Sequence, residues 1–315
     1  MASFTRREIL GGAAALCGAG LSRGQQTTPT FSTDVKVVNI LATVRNKSGA
    51  LMGKLTQDDF VLAEDKRPQA IRYFAAETNL PLTLGLMIDT SGSQVKVLDA
   101  ERGASLRFLD NVFRDRQDHV FIMQFDTSVQ VKQALTTSIR QLDDAMAYVD
   151  SETMRQVRIQ GGGSTLLYDA VIRACNEIMK KQTGRKGLIV LSDGVDFGSE
   201  GTLQESVDAA LRADTLIYSI LYSDPGAYGI LGGDHDGRRV LQTMSEDSGG
   251  DFFEVSKKLP VEQVFAILEE ELRNQYSLGF VSDKPVEISE FRAIQLTAKQ
   301  KGLTVQARRR YWAQH

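Results

Sequence analysis

Between positions 82 and 255, short apolar runs alternate with longer segments whose apolar residues recur every three or four positions. The short runs have the length and composition of buried strands, and the longer segments have the periodicity of helices packed on one face. Predicted strands lie at 82–89, 119–125, 188–192, 215–221 and 251–255, with an antiparallel edge strand at 129–134. Predicted helices lie at 95–112, 139–149, 166–181, 202–213, 239–245 and 261–275.

Strands that alternate with helices predict a doubly wound, mostly parallel sheet flanked by helices, an α/β fold. In such folds, ligands bind beyond the carboxyl ends of the strands. The polar residues that directly follow each strand are therefore the candidates for function.

The segments on either side of this region have a different pattern. Residues 31–76 and the stretch after position 276 alternate apolar and polar positions, which is typical of half-buried strands. Three or so strands make a poor core alone. We therefore expect 31–80 to pair with 276–312 in one small, discontinuous, β-sandwich-like domain, with the α/β domain at 81–275 inserted in it. The alternative is two separate hairpins packed on the α/β domain.

The first 24 residues have the pattern of a targeting segment. Arg6 and Arg7 precede a mildly apolar run rich in glycine and alanine, and this arrangement resembles a twin-arginine export signal. The run is shorter than the roughly 20 residues that span a bilayer, so we expect cleavage, no stable membrane span, and a periplasmic or secreted protein. Alternatives are a basic N-terminus leading into a buried helix, and lipid attachment at Cys17, which Leu16 disfavours.

Composition narrows the function classes. The 315 residues include 37 basic and 40 acidic ones, so no strong positive field favours nucleic acid. The two cysteines are Cys17, inside the predicted signal, and Cys175, so the mature chain forms no internal disulfide. Cys175 shares an apolar helical face with its neighbours, which predicts a core residue rather than a catalytic thiol.

Oxygen-bearing side chains follow two of the predicted strands. Asp89 ends the first, Ser91 and Ser93 come just after it, and Asp193 follows the strand at 188–192. Thr165, after three glycines, precedes the helix that leads into that same strand. Hard divalent cations such as Mg²⁺ prefer such oxygen ligands. Taken alone, the Asp89–Ser93 turn is also explained by a serine that caps the following helix.

These five residues match the pattern of the von Willebrand factor type A (VWFA) domain, whose metal-ion-dependent adhesion site (MIDAS) has Asp-x-Ser-x-Ser, a later Thr and a later Asp-Gly. The chain resembles an exported bacterial subgroup of that family with flanking β strands. The resemblance implies that Ser91 and Ser93 bind the ion directly and that Asp89 and Asp193 act through waters. It also implies that Thr165 joins or leaves the ion between conformational states.

The same resemblance implies a protein partner that presents an Asp or Glu carboxylate to the ion. Mg²⁺ is the expected cation, with Mn²⁺ and Ca²⁺ as alternatives. By the same resemblance the last α/β helix, 261–275, would move when the ion site tightens; the competing interpretation is a helix that only packs.

An enzyme on the same doubly wound fold, such as a metal-dependent hydrolase or a phosphoryl-transfer protein, is the alternative function. The sequence has no Gly-x-x-x-x-Gly-Lys-Ser/Thr loop and no Gly-x-Ser-x-Gly elbow. Metal-dependent hydrolases gather carboxylates and histidines on the ion, whereas hydroxyls dominate here. We therefore predict a protein without catalytic activity.

Three further polar segments have competing interpretations. Asp196 either lies near the ion or caps the helix that begins near Thr202. The stretch 232–237, with two aspartates and His235, is either a mobile solvated loop or a second cation site. The segment 308–312 contains three arginines and is predicted to be an edge strand with solvated arginines, with a partner contact as the alternative.

Overall fold

A computed structural model describes residues 37–76, 81–113, 117–150, 164–222 and 234–314. The predicted export signal and the three glycines before Thr165 lie outside the described residues. The described residues form one compact unit. The division of these residues into two domains therefore stays a prediction.

A six-stranded, mostly parallel sheet forms the centre of the α/β part, as the sequence predicts. Its two central strands, β5 and β8, are buried along their whole length because helices cover both faces. The strand order is β10-β9-β8-β5-β6-β7, and only β7 runs antiparallel to its neighbour. The strands are β5 (Leu82–Asp89), β6 (His119–Phe125), β7 (Val129–Thr136), β8 (Arg185–Ser192), β9 (Leu216–Leu221) and β10 (Phe252–Glu254).

Helices pack on both faces of this sheet through two hydrophobic clusters. One cluster joins α1, α2 and α6 to one face, and the other joins α3, α4 and α5 to the opposite face. Cys175 lies fully buried in the second cluster, which confirms its predicted core position. The helices are α1 (Leu98–Val112), α2 (Ile139–Met146), α3 (Leu167–Arg173), α4 (Leu203–Arg212), α5 (Asp234–Ser248) and α6 (Val261–Arg273).

The remaining strands form two four-stranded sheets, ordered β13-β1-β11-β4 and β14-β12-β2-β3. Each combines strands from before and after the α/β part, and a third hydrophobic cluster joins the two sheets. Tyr276 of β11, for example, lies edge-on to Phe60 of β2, with ring centroids 5.4 Å apart. The strands are β1 (Val37–Arg45), β2 (Phe60–Glu64), β3 (Arg67–Gln69), β4 (Ile71–Ala76), β11 (Tyr276–Val281), β12 (Glu290–Ala298), β13 (Thr304–Ala307) and β14 (Arg310–Ala313).

Three local predictions are wrong. The predicted helix 166–181 is α-helical only to Arg173 and continues as a π turn, Ala174–Ile178, and a 3₁₀ turn. Residues 234–237, part of the stretch 232–237 that is predicted as a mobile solvated loop, are helical and belong to α5, while the alternative of a second cation site stays a prediction. Arg308, predicted to be solvated, is only 7% exposed because its guanidinium donates to Asp214 and to the backbone carbonyl of Asn39.

Within the described residues, no helix combines the length and the apolar character needed to cross a membrane.

Candidate functional site

The predicted site residues gather at the centre of the parallel sheet. Asp89 ends β5, and Asp193 directly follows β8, the neighbour of β5. After β5 the chain continues to β6 on one side and later returns to β8 on the other. This reversal is the topological switch point where α/β folds bind ligands.

Asp89 is fully buried and organises the turn after β5. Its Oδ1 accepts a hydrogen bond from the Ser91 backbone N–H at 2.9 Å, and its Oδ2 accepts one from the Ser192 hydroxyl at 2.6 Å. The Ser192 Oγ in turn accepts from the Gly194 N–H at 2.9 Å. Asp89 therefore holds the loops after β5 and β8 against each other.

The hydroxyl groups of the turn extend this network towards Asp193. Ser91 Oγ and Ser93 Oγ are 3.1 Å apart, and Ser93 Oγ donates to Asp193 Oδ2 at 2.5 Å. Gln94 Nε2 donates to the same Asp193 oxygen at 2.9 Å. Sequence reasoning missed Gln94 and Ser192, because only their hydrogen bonds in the folded chain connect them to the site.

Thr165 is held beside this network by its backbone. It exchanges two hydrogen bonds of 2.9 Å with Phe197, which lies in the loop that Asp193 begins. The adjacent Leu166 N–H donates to the Asp126 carbonyl, and the Asp126 carboxylate accepts from Thr90 Oγ1 at 2.8 Å. Both Thr165 hydrogen bonds to Phe197 are made by backbone atoms.

Asp196 caps a helix other than the predicted one, and its predicted place near the ion stays a prediction. Its Oδ1 accepts from the Tyr168 backbone N–H at 3.0 Å and from the Ser199 hydroxyl at 2.6 Å. Because Tyr168 lies in the first turn of α3, Asp196 caps that helix rather than the helix after Thr202. It thereby helps fix the segment that contains Thr165.

Gly237 has a steric role beside the site. A Cβ atom at this position of α5 would overlap the backbone oxygen of Asp193, and one at Gly194 would overlap the backbone oxygen of Gly237. Gly194 also has a φ of +79°, a conformation that favours glycine. The glycines therefore allow α5 to approach the Asp193 loop closely.

Buried carboxyl groups lie close together here, which disfavours their charged forms. Burial, together with the nearby Asp193 carboxylate, raises the pKa of Asp89 to about 7. Burial also raises the pKa of Glu101, on α1, well above its usual value, with the charges of Asp89 and Asp193 adding to the effect. Both carboxylate oxygens of Glu101 are buried, with no hydrogen-bond partner in the described part of the chain.

The oxygen atoms of the network are suited to act as ligands of a small hard cation. Two oxygens that bind one Mg²⁺ at about 2.1 Å and at right angles lie about 3 Å apart, close to the 3.1 Å between the Ser91 and Ser93 hydroxyls. No group of three or more His, Cys, Asp and Glu residues in the described ranges is arranged to hold a metal. The candidate ligands at this position include the Ser91 and Ser93 hydroxyls.

No protein-family model and no curated protein matches the chain. Solved structures with similar folds include BatB from Bacteroides thetaiotaomicron, at 15% identity and a TM-score of 0.44 over 61% of this chain and 97% of BatB. The vWF domain of the type V pili tip protein Mfa5 from Porphyromonas gingivalis is similar at 12% identity and 0.46, over 62% of this chain and 96% of that domain.

Proximal thread matrix protein 1 from the mussel byssus is similar at 12% identity and a TM-score of 0.50, over 72% of this chain and 51% of that protein. At these low sequence identities, the similarity shows the fold alone. With the observed sheet order, it supports the doubly wound α/β fold that the sequence predicts.

Proposed function

We propose that this protein is an exported, metal-ion-dependent protein-binding module without catalytic activity. Its ligand site is the oxygen network formed by Asp89, Ser91, Ser93 and Asp193, with Thr165 beside it. The observation that carries the proposal is the joining of Ser91, Ser93 and Asp193 by short hydrogen bonds at the switch point of the sheet.

Each residue has a role that follows from its position. Ser91 and Ser93 supply neutral hydroxyl ligands, while Asp89 and Asp193 orient those ligands and contribute negative charge. Thr165 is the fifth member, held beside the network through the Phe197 bridge. A cation held largely by hydroxyls keeps much of its positive charge, so it supplies an attractive position for a carboxylate of a partner protein.

Mg²⁺ suits this site best, because the hydroxyl spacing matches a small octahedral ion. Mn²⁺ and Ca²⁺ are the alternatives that a titration separates. The exported location is supported by the resemblance of residues 1–24 to a twin-arginine signal.

Calorimetric titration of MgCl₂, MnCl₂ and CaCl₂ into the metal-free protein tests the site. We expect binding to the native chain and its loss in Asp89→Ala and Ser91→Ala. Ser128→Ala is the matched control. Ser128 also carries a hydroxyl group and lies in a neighbouring loop, but it contacts Asp126 and none of the proposed metal ligands. Equal binding by the native chain and Ser91→Ala, with both folded by circular dichroism, would rule out the proposed ligands.

Capture of exported proteins on immobilised, Mg²⁺-loaded protein tests the partner. We expect a partner retained with Mg²⁺ and released by EDTA, absent from the Ser91→Ala column, and lost when its contacting Asp or Glu is replaced by the corresponding amide. Retention that is unchanged by EDTA and by Ser91→Ala would contradict a metal-dependent interaction.

A further inference from the structure

The two loops that carry the proposed metal ligands also carry exposed apolar side chains. Val95 comes two positions after Ser93 in the turn that follows β5, and it is 51% exposed. Phe197 comes four positions after Asp193 in the loop that follows β8, and it is 68% exposed. Each of these loops therefore presents apolar surface to solvent as well as polar groups to the oxygen network.

Hydrogen bonds fix the backbone of the loop that bears Phe197. The Phe197 N–H and carbonyl form the 2.9 Å pair with the backbone of Thr165. On one side of Phe197, Asp196 caps α3, and on the other side the Glu200 N–H donates to the Asp169 carboxylate at 3.0 Å. The loop thus holds the Phe197 backbone in a defined place and leaves the ring exposed.

An exposed phenylalanine on an ordered loop is suited to binding another protein. The apolar surface of the Phe197 ring gains little from folding, and it leaves water only when a partner covers it. Aromatic side chains are enriched in protein interfaces, and a loop that is already ordered loses little further entropy on binding.

A partner that binds at the cation site also reaches these loops. A specific interface covers about 800 Å² on each protein, which is far more than one carboxylate covers. The loops after β5 and β8 surround the proposed ligands because they supply them. A protein that places a carboxylate on the cation therefore also covers the loop of Phe197, which begins at Asp193.

We propose that Phe197 is a specificity-determining residue of this interface, and that the partner presents a large apolar side chain close to its Asp or Glu. The inference rests on the proposed cation-dependent function and states which kind of segment the site selects. Many proteins expose carboxylates, so the cation alone discriminates poorly among them, and the apolar contact supplies the discrimination. Val95, on the turn after β5, supplies a second and smaller apolar contact.

Two libraries of phage-displayed heptapeptides, one with a fixed central Asp and one with a fixed central Asn, test this proposal on the Mg²⁺-loaded full chain. We expect the Asp library to be retained with Mg²⁺ and released by EDTA, with Phe, Tyr, Trp or Leu enriched beside the Asp. With Phe197→Ser we expect no such enrichment, and the peptides selected on the native chain are expected to bind this variant at least tenfold more weakly.

Calorimetry with MgCl₂ separates the role of Phe197 from the role of the cation. Phe197→Ser keeps the two backbone hydrogen bonds to Thr165, so we expect this variant to fold and to bind Mg²⁺ as the native chain does. Tyr148→Ser is the matched control, because Tyr148 is a 74% exposed aromatic residue outside both loops. This control is expected to select the same peptides as the native chain.

The possible failures of the two proposals are distinguishable. Mg²⁺-dependent Asp peptides without apolar enrichment, or equal peptide affinities of the native chain and Phe197→Ser, would overturn the role of Phe197 and leave the cation site standing. Equal retention of the Asp and Asn libraries, or a native chain that binds no Mg²⁺, would overturn the proposed function and this inference with it.

Discussion

The Ser93 hydroxyl donates to Asp193 Oδ2 at 2.5 Å, across 100 positions of sequence. This hydrogen bond connects the turn after β5 to the loop after β8, the two central strands of the sheet. Hydrogen bonds between the residues that are proposed to bind the metal therefore hold the site together.

Ser93→Ala tests how much this connection stabilises the metal-free protein. The variant loses the hydrogen bonds to Asp193 and Ser91, so we expect the free energy of unfolding to fall by about 1–2 kcal/mol. Urea unfolding in EDTA measures this change in the free energy of unfolding. Ser93→Thr, which keeps the hydroxyl, is the control, and a Ser93→Ala variant as stable as the native chain would show that the connection contributes nothing.

Glu101→Met addresses the unpartnered carboxyl group on α1. Methionine fills a similar volume without the buried oxygens, so in EDTA we expect the free energy of unfolding to rise by about 1–3 kcal/mol. Denaturant unfolding provides the measurement. Glu262→Gln changes an exposed glutamate and is expected to shift the value by less than about 0.5 kcal/mol. Destabilisation by Glu101→Met would mean that this carboxyl group has a stabilising partner.

The buried carboxyl group of Glu271, on α6, is expected to make the free energy of unfolding depend on pH. Burial, with the charge of Asp251 adding to it, raises the pKa of Glu271 to about 8 although Arg45 opposes the shift. The folded chain thus holds this proton more tightly than the unfolded chain. The Glu271 contribution to the free energy of unfolding therefore falls as pH rises from about 4.5 to about 8, by up to about 1.4 kcal/mol per pH unit.

Denaturant unfolding at several pH values checks this prediction. Glu271→Gln is expected to flatten the profile between about 4.5 and about 8, since the amide does not titrate. Glu270→Gln, at the exposed neighbouring position of the same helix, is expected to keep the native slope. Parallel profiles for the native chain and Glu271→Gln would contradict the raised pKa.

Arg292 is a buried cation within the β sheets. It is 1% exposed, lies 3.5 Å from the buried Glu64, and donates to the carbonyls of Lys284 and Pro285. Arg292→Met leaves the Glu64 charge without its cation, so we expect a loss of about 3–5 kcal/mol in the free energy of unfolding. Thermal and urea unfolding measure it. Arg67→Met, which breaks an exposed ion pair with Asp283, is expected to cost less than about 1 kcal/mol.

Much of the fold follows from local patterns. The apolar run 82–89 matches β5, and the run 188–192 identifies β8 except for its first three residues, Arg185–Gly187. Asp89, Ser91 and Ser93 lie within five positions of each other, so one turn after a strand brings them together. The sequence therefore predicted both the α/β class and this part of the site.

Other features depend on contacts between distant segments. The sequence predicts a solvated Arg308, yet this side chain is buried and contacts Asp214 and Asn39 of distant segments. Asp196 caps α3 rather than the helix after Thr202. Gln94 and Ser192 contact Asp193 and Asp89, respectively, through hydrogen bonds between side chains about 100 positions apart.

The sequence by itself thus determined the order of strands and helices and the position of the oxygen-bearing turn, because burial patterns and turn spacing are local properties of the chain. Only the tertiary structure decided which side chains pair across the sheet and which buried groups are left without partners. Those outcomes depend on the packing of elements far apart in sequence, which no local pattern encodes.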